Sequence, residues 1–115
     1  MTTLEPGGVI RAASLPVPLE ALPHAQVEAG APRAGSVALA AFEGLEVGVW
    51  EHTPGVSTDV EIDEVFVVLS GAARIDMVEP EGESLEVGPG DVVRLVAGQR
   101  TRWTVTETLR KIYLA

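Results

Sequence analysis

Asp59-Val-Glu-Ile-Asp-Glu-Val-Phe-Val-Val-Leu-Ser-Gly71 is the stretch on which the reading of this chain turns. An acidic entry passes into a β-branched and aromatic run that a glycine ends, the composition of a strand running from a solvent-exposed mouth into a packed interior. Side chains alternate across a strand, so one unbroken strand places Val60, Ile62, Glu64, Phe66 and Val68 on a single face. Glu64 then points inward among large hydrophobes and becomes the leading functional candidate. The other parity carries Asp59, Glu61 and Asp63, expected to point outward as a solvated edge that resists aggregation. It also carries Val65, Val67 and Leu69, an outer apolar stripe that needs the N-terminal arm or a second subunit to cover it. A homodimer is the expectation from that stripe.

On the N-terminal side, Ser36 to Phe42 and Leu45 to His52 read as strands about Gly44, followed by a turn at Thr53-Pro54-Gly55. On the C-terminal side, a strand at Ala72 to Val78 is joined to Ser84 to Val87 through Glu79-Pro80-Glu81-Gly82. The turn Gly88-Pro89-Gly90-Asp91 launches Val92 to Val96, and Arg102 to Val105 and Arg110 to Leu114 finish the series. Short strands at this spacing predict an all-β antiparallel sandwich or small barrel over residues 37–115. Residues 1–36 differ. Pro6, Pro16, Pro18, Pro23 and Pro32 forbid a long helix there, while Leu15, Val17, Leu19 and Leu22 are too apolar for a solvated linker. An extended arm packed on the barrel is expected, with one helical turn around Leu19 to Leu22.

The chain has 115 residues, enough for one domain with a real core. It has no cysteine, which excludes disulfides, thiolate metal sites and a cysteine nucleophile. A net charge of −9 disfavours nucleic acid or an anionic membrane as partner. No signal-peptide pattern and no membrane-spanning apolar run is seen, so a cytoplasmic protein is expected. The residues after Asp91 are β-formers, so the glycine-rich turn before it is no phosphate loop.

Two stretches resemble the cupin family. Glu64 and, after six intervening residues, Gly71 are similar to the end of the first cupin motif, and Gly90-Asp91-Val92-Val93-Arg94-Leu95-Val96-Ala97-Gly98 resembles the second, with Val96 in place of a proline. Gly48-Val49-Trp50-Glu51, Trp103-Thr104-Val105 and Arg110-Lys111-Ile112-Tyr113 look more narrowly like the small single-domain cupins related to ureidoglycine aminohydrolase. The resemblance implies a jelly-roll barrel with a pocket inside it. It also implies a metal whose ligands this sequence mostly lacks. The first motif's histidines fall at Thr58 and Val60, or at Ser57 and Asp59, and the second motif's histidine falls at Thr101. Only Glu64 is retained. A transition metal needs three or four converging donors, so no cofactor is expected. The alternative is a divalent metal held by substitutes from Asp59, Glu61, Asp63 and His52.

The candidate site therefore has Glu64 as acid, base or anchor, unless it is merely ion-paired with Arg74, Arg94 or Arg102. His52 is a proton-transfer candidate at the rim; His24, in the arm, is given no role. Trp50, Phe66, Thr101 and Trp103 are expected to line the pocket, and Arg102 to recognise a carboxylate or ureido oxygen. Two functions of different class compete. One is a pocket binding, and in its fuller form processing, a compact polar metabolite; the other is a metal-free structural or binding dimer with a filled barrel. A metal-dependent ureidoglycine aminohydrolase-like enzyme with non-standard ligands is a third.

Overall fold

The computed structural model describes residues 3–115 as nine strands and one 3-10 turn: β1 (Glu20–Ala21), β2 (Val27–Ala29), β3 (Arg33–Phe42), β4 (Leu45–His52), β5 (Gly55–Val60), β6 (Glu64–Glu79), β7 (Leu85–Val87), β8 (Val92–Leu95) and β9 (Arg100–Leu114). Every pairing is antiparallel. The all-β jelly-roll expectation holds. Its longest strands are longer than the turn signals suggest, because Ala72–Val78 continues the strand begun at Glu64 and Arg102–Val105 runs on into Arg110–Leu114.

Those two long strands organise the molecule. On one edge β9 pairs with β5 through Arg100–Val105 and with β4 through Leu109–Leu114; on the other it pairs along nearly its whole length with β6. The free edge of β6 takes β8 on its first half and β7 on its second. Register shifts between Val68 and Ala73 bend β6 and turn the sheet on itself. Gly71 is the corner. It has φ +92°, and a Cβ there would stand 2.1 Å from the Thr108 carbonyl oxygen, so no other residue fits. Phe66, Val68, Ala73, Ile75, Val93, Leu95, Trp103, Val105 and Leu109 form the buried core inside the curl.

The stretch from Asp59 to Gly71 is not one strand, and this corrects the inside-outside assignment of its first half. β5 ends at Val60 and β6 begins at Glu64; between them the Glu61 N–H donates to the Gln99 carbonyl at 2.8 Å, and the Gly98 N–H to the Glu61 carbonyl at 2.9 Å. The break reverses the parity before it. Val60 and Ile62, expected inside, are 52 % and 58 % exposed, whereas Glu61, expected outside, is 6 % exposed. From Glu64 onward the alternation is as read, with Phe66 and Val68 buried and Val65, Val67 and Leu69 on the outer side.

In the arm the helical turn lies elsewhere than expected. Glu20–Ala21 is a strand paired to Arg33–Ala34, and the 3-10 turn is His24–Gln26. The arm is fixed from below by Arg110, whose Nη1 donates to the carbonyls of Ala12 and Leu15 at 2.9 and 2.6 Å while its Nε and Nη2 bind Glu51 at 3.0 and 2.8 Å.

Candidate functional site

Inside the curl lies a cavity of about 400 Å³. β4 contributes Trp50 and His52, β5 contributes Ser57, Thr58 and Asp59, β6 opens with Glu64, and β9 contributes Trp103, Lys111 and Tyr113. Cross-strand register explains the grouping: Trp50 is opposite Lys111, and Ser57 opposite Trp103. Gly48 faces Tyr113 in the same ladder, and the tyrosine ring lies over the space a Cβ would need, 2.3 Å from the phenolic oxygen.

Lys111 is the centre of this cavity. It is 4 % exposed, and its Nζ lies 2.6 Å from Glu64 Oε2. Three rings surround the ammonium, with centroids 4.2 Å away for Phe66, 4.5 Å for Trp50 and 5.0 Å for Trp103. Burial pushes the Lys111 ammonium below its ordinary range, and Glu64, then Glu61 and Asp59, pull against that shift. The expected arginine partners of Glu64 lie outside: Arg74 pairs with Asp76, Arg94 with Asp63, and Arg102 with Glu28 at 2.6 Å. Arg102 does not line this cavity, because its parity on β9 is opposite to that of Trp103.

Glu61 is the second acid of the interior. Its Oε2 accepts from the Thr101 hydroxyl at 2.6 Å and from Trp103 Nε1 at 3.1 Å. Thr101 and Phe66 are buried in the wall behind the cavity. Asp59 sits at the rim, its carboxyl raised by desolvation and then by Glu61. His52 is buried; its Nδ1 donates to the Thr53 carbonyl at 2.6 Å, so Nε2 accepts from the Ser57 hydroxyl at 2.9 Å. Desolvation lowers its pKa, and the imidazole is neutral. At the far end the Tyr113 hydroxyl donates to Glu46 at 2.7 Å, and burial with that carboxylate pushes the phenol up to about 12.

Lys111 escaped the sequence reading, although a signal was present. Seven of the eight basic residues are arginine, and Lys111 is the one lysine. A chain that uses arginine for all its other cations and puts its lone amine inside the barrel has singled that amine out.

The sequence profile of the EutQ-like cupin domain matches residues 39–113. The chain belongs to the EutQ-like cupin domain family. Solved structures carry the same fold. A protein of unknown function from Pseudomonas syringae pv. tomato is 27 % identical with a TM-score of 0.72, over 89 % of this chain and 45 % of that one. One from Acidithiobacillus ferrooxidans is 25 % identical with a TM-score of 0.60, over 92 % and 98 %. The EutQ protein of Clostridium difficile is 20 % identical with a TM-score of 0.60, over 72 % and 67 %, a likeness of fold alone. No curated protein matches the sequence.

The cupin metal is tested by this donor set, and the residues do not fit it. Thr58 lines the cavity in place of a histidine, Val60 faces solvent and Thr101 is committed to Glu61. Glu64, the one retained ligand, is bound to an ammonium. Among the described residues no three His, Cys, Asp or Glu side chains converge.

Proposed function

We propose that this EutQ-like cupin binds a compact polar metabolite inside its barrel and uses the Glu64–Lys111 pair, not a divalent metal, as the charged centre of the pocket. The observation that carries the reading is the 2.6 Å contact of Lys111 Nζ with Glu64 Oε2, which puts a protein cation beside the retained ligand carboxylate. Trp50 and Trp103, 5.5 Å apart between centroids, supply flat walls. Glu46, Asp59 and Glu61 give the remainder of the lining an acidic character that disfavours anions and favours hydroxyl, amino or ureido groups. The narrower resemblance to ureidoglycine aminohydrolase-like cupins makes ureido and amino compounds the first to try. His52, buried and hydrogen-bonded to Ser57, lines the same cavity.

The reading includes a homodimer. Val67 is half-buried on the outer face of β6, and Val92, its cross-strand partner on β8, is 67 % exposed, which supports a second copy covering that face.

Thermal unfolding with a panel of small ureido, amino and polyhydroxy compounds, followed by calorimetry, tests the pocket. At least one compound is expected to raise Tm saturably in the native protein and not in Trp50→Ala. If no neutral or cationic compound binds, or if untagged protein carries about one transition-metal equivalent per chain, the reading is wrong.

A further inference from the structure

Three observations converge on Lys111. It is the only ε-amine in the chain. It lines a cavity large enough for a small metabolite, not the solvated surface that lysine ordinarily prefers. Its Nζ touches a carboxylate that can take and return a proton at 2.6 Å. A structural cation at this position needs no amine chemistry, and a guanidinium, used at the seven other basic positions, pairs with carboxylates in a fixed fork. An amine offers what a guanidinium does not: once deprotonated, it is a nucleophile toward carbonyl carbon.

We propose that Lys111 forms an imine with a small aldehyde or ketone bound in the barrel, with Glu64 as its proton-transfer partner. The inference rests on the pocket reading above. Glu64 Oε2 takes one proton from the ammonium, and the freed Nζ lone pair attacks the carbonyl carbon. The carbonyl oxygen takes up a proton from nitrogen as the carbinolamine forms. Glu64 then returns its proton to the new hydroxyl, which leaves as water while the C=N bond closes. The product is a protonated imine beside an ionised Glu64, so the charge of the pair is the same at the end as at the start. The three rings that face the ammonium face the iminium as well. Burial favours the neutral amine, while Glu64, Glu61 and Asp59 favour the charged one. His52 also faces Lys111, is neutral, and adds no competing cation. The acidic lining excludes phosphorylated carbonyl compounds and fits neutral hydroxy-aldehydes and hydroxy-ketones.

The native chain serves for the test, because a single lysine makes the assignment unambiguous. The protein is incubated at pH 7 with glycolaldehyde or dihydroxyacetone and cyanoborohydride, and the adduct is located by intact mass and peptide mapping. The expected result is one adduct per chain, on Lys111, formed at least tenfold faster in the folded protein than in urea and slowed tenfold or more by Glu64→Gln. Labelling of Lys111 no faster than in the unfolded chain, or labelling confined to the terminal amine, overturns the proposal. A compound that binds reversibly by calorimetry but leaves no trapped adduct sinks the imine and spares the pocket. Absence of both sinks the pocket too.

Discussion

His52 shows what burial does to a residue that sequence places at a rim. Its Nδ1–H is spent on the Thr53 carbonyl and its Nε2 on the Ser57 hydroxyl, an arrangement that favours the neutral ring. Desolvation lowers the folded pKa below the 6.5 of the unfolded chain. As pH falls below 6.5 the unfolded state takes up a proton that the folded state does not, and stability is lost until the folded pKa is reached. Urea unfolding is expected to show a His52-dependent loss of stability as pH falls through 6.5. His52→Gln should remove that part of the slope. Parallel pH profiles for the two proteins would contradict the assignment. The residue types of this site were legible one at a time, Glu64, Trp50 and Trp103 among them. Lys111 was missed, because its partner lies 47 positions away and its only mark in the sequence is that it is the one lysine among arginines.

Among the elements, β6 carries the decisive feature. Its halves serve different neighbours, β8 and β7 on one edge and the two ends of β9 on the other, and Gly71 lets it turn between them. Gly71→Ala meets both a positive φ and the Thr108 carbonyl 2.1 Å away. Gly44, with φ +77° and nothing within 4 Å, meets only the first. The matched pair separates strain from collision: Gly44→Ala should cost about 1 kcal/mol, and Gly71→Ala at least about 3 kcal/mol, read from denaturant midpoints. Equal costs would mean that the corner is not where the barrel is closed. Strand existence was readable here from β-branched runs and turn residues. Strand length was not, since a glycine that bends a strand and a glycine that ends one look alike in sequence.

For the whole molecule, the arm and the outer face pose one question. Arg110 secures the arm through Ala12, Leu15 and Glu51, and Val65, Val67 and Leu69 remain only half-buried on the other long strand. The proposed homodimer predicts twice the monomer mass by sedimentation at micromolar concentration, and dissociation in Val67→Glu without loss of strand content. A native chain sedimenting as a monomer would remove it. No helix among the described residues is long and apolar enough to cross a membrane.

Composition and local pattern alone determined that this chain is all-β, where most strands run, and that Glu64 shares a parity with Phe66 and Val68, because alternation within an unbroken strand is a local property. Tertiary structure decided the rest of the interior. The Val96–Gln99 turn captures the backbone of Glu61, breaks the strand before Glu64 and swings a second carboxylate inward. β9 then carries Lys111 across from the far end of the sequence. Both depend on which strands become neighbours, and that is settled only when the sheet closes.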